Sequence, residues 1–479
     1  MEKEVNLGNW INGELKNPLK NKWIEKINPS NGRMLYKFAS SDNDDVLLAI
    51  NSSLSAFPNW SNMSPIKRGE ILFKFVNILN NDQALLAKCV SVETGKSIKN
   101  SQAEVQAAIA QGQFFASEGR RLYSSSLTSE NNKKTVQSIR VPHGVVGLIV
   151  PANTPIANIA WKIFPALICG NAVILKASED APRLALMIAK LSKKAGLPNG
   201  VLNVIQGLGN IAGESLVRNK NIKCISFTGS TAVGKRVGEI VSARMGRCSL
   251  ELGGINSIIV LKDANLDNAI HWSIQSAFSN AGQRCASASR ILVQKDIFSK
   301  FTKKLVTASS KLKLGISNKD DIGPVINKRQ FQVSKQHILD LLNEGGKTLL
   351  KKTTTPKKGF YIQPTLMTDV SHNSKLLKKE VFGPIATIHE FSNLSQAVKI
   401  ANNTDFGLTA AVHSSDINKC LYFIHNLRAG TVNINSGTFG SEPHMPFGGF
   451  GSSGNGTREP GSQAIDVYTE LKNYSFTEI

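Results

Sequence analysis

No stretch of this chain approaches the ~20 consecutive apolar residues that a membrane-spanning helix needs, which argues against a helical membrane protein. The opening residues Met1-Glu2-Lys3-Glu4-Val5 lack the basic-then-apolar pattern of a secretory leader, so a cytoplasmic location is expected. Cysteine is sparse. Cys89, Cys169, Cys224, Cys248, Cys285 and Cys420 are scattered without a C-x-x-C pair, which argues against a disulfide framework or a zinc site. The eight histidines are scattered too, with no H-E-x-x-H motif, so no metal is expected. Acidic residues are few, 35 against 57 Lys and Arg, and the formal net charge is +22. Such a field attracts anionic cofactors and substrates. Aromatic residues make up only 7%, and no basic run is interleaved with them as single-strand binders require, so no nucleic-acid partner is expected.

What is present is an ordinary globular composition, 41% hydrophobic over 479 residues, long enough for two or three domains. Short apolar runs alternate with helical stretches. Residues 145–150, 172–176, 201–205 and 224–227 read as buried strands, and 184–195 as a helix between two of them. This alternation predicts a parallel sheet covered by helices, an α/β fold. The lysine- and threonine-rich stretch 351–358 reads as a solvated loop.

Cys285, in Gly282-Gln283-Arg284-Cys285, stands after Glu251, in Leu250-Glu251-Leu252-Gly253-Gly254. A thiol beside a cation can ionise and attack a carbonyl carbon. A separate carboxylate can activate water for a second step. Two glycine-rich loops compete for a dinucleotide. Gly207-Leu208-Gly209-Asn210-Ile211-Ala212 fits G-x-G-x-x-G/A but lacks the following acidic residue at a strand end. Gly229-Ser230-Thr231-Ala232-Val233-Gly234 also follows a strand, and helix amides there could hold phosphate. Glu93-Thr94-Gly95-Lys96-Ser97 ends like a P-loop, but Val90 occupies the place of its first glycine, so ATP binding is not expected.

Further strings accompany these: Pro151-Ala152-Asn153, Phe227-Thr228-Gly229-Ser230-Thr231, Glu380-Val381-Phe382-Gly383-Pro384 and Pro446-Phe447-Gly448-Gly449. In this order, from Trp10-Ile11-Asn12-Gly13 to Tyr468-Thr469-Glu470, the chain closely resembles the NAD(P)-dependent aldehyde dehydrogenase superfamily. The resemblance implies a Rossmann-like dinucleotide-binding domain (1–123 and 143–253), an α/β catalytic domain (254–463) and a small β oligomerisation arm (124–142 and 464–479). It implies a homodimer or homotetramer. It assigns the pyrophosphate to the second glycine loop, at Gly229, Ser230 and Val233, with Lys176 and Glu179 at the adenosine ribose and Glu380 and Phe382 at the nicotinamide ribose. A carboxylate at Glu179 repels a 2′-phosphate, so NAD is expected over NADP.

The resemblance also implies the reaction. Cys285 attacks the aldehyde to give a thiohemiacetal, whose oxyanion is held by the Asn153 side-chain amide and the Cys285 N–H. Loss of hydride leaves a thioester, which water activated by Glu251 hydrolyses. Relatives that transfer the acyl group to coenzyme A commonly lack this glutamate, so coenzyme A acylation is the lesser alternative. A catalytically retired member with a structural or nucleic-acid-binding role is another, opposed by the intact reacting groups. Thr154, Asn158 and Trp161 share one face of the helix beginning near Pro155. With Ser279, Arg284 and Phe447 they occupy family pocket positions. Polar groups and a guanidinium there suit a small polar aldehyde carrying a carboxylate. The tail from Gly456 to Glu470 resembles bacterial and archaeal semialdehyde dehydrogenases. Ala152, Ile255 and the pair Phe450-Gly451 depart from the usual pattern without removing a reacting group.

Overall fold

A computed structural model describes residues 6–351 and 354–479. The N-terminal residues 1–5, and 352–353 within the expected polar loop, lie outside the described residues.

Two seven-stranded sheets carry the molecule. In the first, the order is Arg247–Glu251, Ile222–Thr228, Val145–Ile149, Ala172–Lys176, Leu202–Ile205, Asn9–Ile11, Glu14–Lys16. Its first five strands pair in parallel. Every residue of Ala172–Lys176 and of Leu202–Ile205 is buried. That is the pattern of parallel strands covered by helices on both faces. The four expected strands are therefore present, with ends shifted by a residue or two, and the intervening helix runs Pro182–Lys194.

The second sheet is ordered Lys347–Thr348, Thr365–Thr368, Ile385–Phe391, Ala288–Gln294, Asn256–Val260, Thr409–His413, Thr431–Ile434. It too is parallel except at Lys347–Thr348. The chain passes from one sheet to the other between Glu251 and Asn256. Small residues, Gly253 and Gly254, make that passage tight: a Cβ on Gly254 would stand 2.6 Å from the Cys285 carbonyl oxygen. The polar segment before Pro142 forms the strand Lys134–Pro142, which pairs antiparallel with the C-terminal strand Thr469–Thr477. Leu471 and Phe476 on that last strand are exposed. Among the described residues, no helix is long and apolar enough to cross a membrane, and no His, Cys, Asp and Glu side chains cluster as a metal site.

Candidate active site

The C-terminal ends of the first sheet's parallel strands converge on the passage between the sheets, the usual place for a ligand in such folds. Glu251 ends one of these strands. Asn153 follows another and precedes the helix Pro155–Ile168, whose first-turn proline suits a position that needs no N–H. Cys285 lies in the loop before Ala288–Gln294.

The nucleophile loop is wound tightly. Asn280, Ala281 and Gly282 all have positive φ, at 54°, 52° and 69°. Only glycine adopts this freely, and a Cβ on Gly282 would also collide with the Gly383 carbonyl oxygen at 2.0 Å. Side chains hold the strained backbone in place. Asn280 Nδ2 donates to the carbonyls of Asn153 (3.0 Å) and Gln283 (3.1 Å), and Asn256 Nδ2 donates to those of Cys285 and Ser287, each at 2.8 Å. Thr438 Oγ1 donates to the Ala286 carbonyl.

Asn158 donates from Nδ2 to Asn153 Oδ1 (3.1 Å) and Thr154 Oγ1 (2.9 Å). The oxygen end of the Asn153 amide is thereby engaged, while its Nδ2 donates to no protein acceptor among the described residues. Such a preset amide suits a developing oxyanion. Asn158, expected on the pocket wall, is buried and committed to orienting Asn153 and Thr154. Trp161 packs against Phe447 with ring centroids 5.3 Å apart.

Burial decides the protonation states. The Cys285 thiol is pushed up to about 12 by burial and by the charges of Glu251 and Glu380. The adjacent Arg284 does not reverse this, contrary to the simple expectation of a cation-activated thiol. Arg284 is turned elsewhere: it stacks on Phe439, its guanidinium carbon 4.4 Å from the ring centroid, and donates to Ser279 Oγ, which in turn donates to the Gln275 carbonyl. Burial lowers Arg284 to about 10, and no carboxylate among the described residues lies within ion-pair distance of it. Ser279 is thus bonded to Arg284 rather than left open.

Glu251 is 4% exposed, and neither carboxylate oxygen has a protein hydrogen-bond partner. Burial and the nearby Glu459 raise its pKa well above the ordinary value, against the pull of Lys162 and Arg458. Behind it lies a network not foreseen from the sequence. Lys162 Nζ pairs with Glu459 Oε2 at 2.7 Å and donates to Ser226 Oγ. Ser226 and Tyr468 hydroxyls also donate to Glu459. Lys162, the one charged residue in the run 155–168, was the one available signal. Phe439, Lys96 and Glu104, the last capping the helix Pro155–Ile168 by accepting from Ile156 N at 3.0 Å, were also missed.

The cofactor positions fit a dinucleotide on three counts. Ser230 caps the helix Thr231–Ala243 without using its side chain, so its hydroxyl and the first helix amides are uncommitted and form an anion cradle. Ser230 and Val233 are exposed. Lys176 and Glu179 meet at 3.1 Å beside the end of strand Ala172–Lys176. Glu380 accepts from Gly254 N at 3.1 Å and is raised to about 7 by burial. A Cβ on Gly253 would stand 2.2 Å from Glu380 Oε2, so only glycine admits that carboxylate. Phe382 holds a left-handed turn at φ 56° and lines one cavity with Glu380, Gly282 and Arg284. In the rival loop, Gly207 (φ 119°) packs on Ser41, whereas Gly209 and Gly213 have open space around them.

The chain is similar to known proteins over nearly its whole length. The model of the aldehyde dehydrogenase family matches residues 16–474. A 2,5-dioxopentanoate dehydrogenase of Saccharolobus solfataricus is 34% identical over 95% of this chain and 98% of its own length. The NADP-dependent succinate-semialdehyde dehydrogenase of Escherichia coli is 35% identical over 96% of each chain. Among solved structures, an aldehyde dehydrogenase of Bacillus cereus in complex with NAD+ superposes with a TM-score of 0.96 at 30% identity, covering 98% of this chain and 96% of its own. With the match spanning nearly the whole chain, this protein belongs to the aldehyde dehydrogenase family and is an enzyme that oxidises aldehydes.

Proposed function

We propose that the protein oxidises a short aldehyde bearing a carboxylate to the corresponding acid, using NAD in preference to NADP. The observation that carries the substrate reading is Arg284: a half-buried guanidinium next to Cys285, desolvated by its surroundings, with a cation–π contact and no carboxylate among the described residues within ion-pair distance. A desolvated charge without an ion-pair partner is costly, and an anionic substrate group would supply one. Thr154 and Trp161 on the facing helix, with Phe447, complete the pocket; Asn158 and Ser279 shape it through Asn153 and Arg284.

The cofactor is held by Gly229, Ser230 and Val233 at its phosphates, by Lys176 and Glu179 at the adenosine ribose, and by Glu380 and Phe382 at the other ribose. Residues 1–123 and 143–253 form the cofactor domain, and 254–463 the catalytic domain. Segments 124–142 and 464–479, joined by the pairing of Lys134–Pro142 with Thr469–Thr477, form an arm through which the chain assembles as a homodimer or homotetramer, a reading supported by the exposed Leu471 and Phe476.

In the reaction, the Cys285 thiol gives its proton to solvent water, the thiolate Sγ bonds to the aldehyde carbon, and the carbonyl electron pair moves onto oxygen. Asn153 Nδ2 and the Cys285 N–H stabilise that oxyanion. When bound, NAD+ supplies the acceptor for the hydride that leaves the same carbon, and the product of that step is a thioester on Cys285. Glu251 then takes a proton from water as the water oxygen attacks the thioester. The C–S bond breaks and the acid leaves. A buried carboxylate with both oxygens unpartnered and a raised pKa is suited to that task.

The test is selectivity. A charge-assisted hydrogen bond to a carboxylate is worth roughly 1.5–3 kcal/mol, so 4-oxobutanoate should exceed butanal by about ten- to hundredfold in kcat/KM. Arg284→Met keeps most of the volume and should erase most of that preference. A wild-type preference for hexanal or benzaldehyde would remove the semialdehyde reading, and turnover that requires coenzyme A would replace hydrolysis with acyl transfer.

A further inference from the structure

Two buried charges beside the pocket take no part in the chemistry above. Lys96 is 6% exposed and Glu104 7%, and Lys96 Nζ is ion-paired with Glu104 Oε2. Glu104 Oε1 accepts from the amides of Ile156 (3.0 Å) and Ala157 (3.5 Å). These amides open the helix that follows Asn153 and Thr154, so Glu104 anchors the start of that helix. Ser97, next to Lys96, and Ser279, the hydroxyl partner of Arg284, line one cavity with Asn100, Gln275 and Phe278. The segment that carries Lys96 thus meets, across that cavity, the hydroxyl partner of Arg284. The two members of the pair act on the guanidinium with opposite sign, Lys96 repelling it and Glu104 attracting it.

We propose that the buried Lys96–Glu104 pair is a charge balance that determines specificity, leaving the charge of Arg284 free to select an anionic substrate. The proposal rests on the reading of Arg284 given above. Glu104 alone would act as a permanent internal counterion and weaken the pull on a substrate carboxylate. Lys96 offsets it. In an interior of low effective dielectric, charges beyond contact distance still act on one another. Two tasks thus meet in Glu104: it anchors the helix that presents Asn153, and through Lys96 it stays electrically silent toward Arg284.

The experiment reads the ratio of kcat/KM for 4-oxobutanoate over butanal in the full-length enzyme with saturating NAD+. Glu104→Gln keeps an oxygen for the helix amides but removes the negative charge, and should raise the ratio about fivefold. Lys96→Met keeps the apolar stem and leaves Glu104 uncompensated, which should lower the ratio about fivefold. Both changes should appear in KM for the charged substrate. The double variant carries no net change of charge and should return the ratio to within about twofold of wild type. A pair that serves packing alone would leave the ratio in place or move it the same way in both single variants, and either result overturns the proposal. Should Glu104→Gln fail to fold, Lys96→Met decides by itself: an undiminished ratio ends the idea. Arg284→Met separates the two readings. If it leaves the wild-type preference intact, the carboxylate reading and the charge balance fall together. If it erases the preference but the single variants do not diverge, only the charge balance falls.

Discussion

The two halves of the site are built on opposite principles. On the aldehyde side, charges are buried and side chains hold one another. Asn158 orients Asn153, Asn256 and Asn280 pin the nucleophile loop, and Glu251 keeps two unpartnered oxygens at 4% exposure. On the proposed cofactor side, Lys176 is buried, but the groups that would meet the phosphates and Glu179 are exposed or half-exposed. Ser230 and the first amides of Thr231–Ala243 face solvent, and Glu179 is paired with Lys176 while its side chain remains 43% accessible. The difference teaches which energies each half can use. Burial shifts protonation and strengthens electrostatics on the reacting side. On the proposed cofactor side, backbone amides at a helix terminus offer an exposed anion cradle.

The sharpest way to break this contrast is to remove the thiol. Cys285→Ser should abolish dehydrogenase turnover while NAD binding, followed by calorimetry, stays near wild type, because a hydroxyl is a far poorer nucleophile. More than a tenth of wild-type turnover would take Cys285 out of its role. Next is Glu251→Gln, expected to lower the steady state by about 10²–10⁴ yet leave one fast round of NADH formation in stopped flow. Equal losses of burst and steady state would place Glu251 in the first step instead.

The elevated thiol predicts a pH effect in the cofactor-free enzyme. Because Cys285 is raised to about 12 by burial and neighbouring carboxylates, its thiolate fraction grows with pH across the neutral and alkaline range. Alkylation by iodoacetamide, followed at Cys285 by mass spectrometry, should speed up about tenfold per pH unit between pH 7 and 9. A plateau already reached at pH 8 would mean that Arg284 activates the thiol after all. The smallest expected effect lies on the exposed side. Glu179→Thr should shift the NADP-to-NAD ratio of kcat/KM upward by up to about fivefold, the scale of one screened charge contact. An unchanged ratio would assign cofactor choice to another residue.

The P-loop-like string shows how a linear motif acquires meaning only in space. Gly95 closes the helix Gln83–Thr94 at φ 79°, where a Cβ would meet Pro324 at 2.4 Å, and Lys96 is spent on Glu104 rather than on a phosphate. The glycine loop at Gly207 tells the same story. It follows a strand as a fingerprint should, yet the next turns are a π-helical segment, Gly209–Gly213, and a five-residue helix.

Sequence alone determined the family and the α/β order of elements, and it singled out Cys285, Glu251 and Asn153 as the proposed nucleophile, carboxylate and oxyanion amide, because these reside in short strings whose local geometry, a tight glycine turn or a strand end, requires particular residues. Only the tertiary structure decided what those residues do to one another. Lys162 and Glu459 are 297 positions apart and meet at 2.7 Å. Arg284 acquires its aromatic partner from Phe439, and the Cys285 thiol is raised rather than lowered. Burial, desolvation and long-range charge depend on which atoms surround a group after the two sheets come together, and no pattern of neighbours along the chain contains that information.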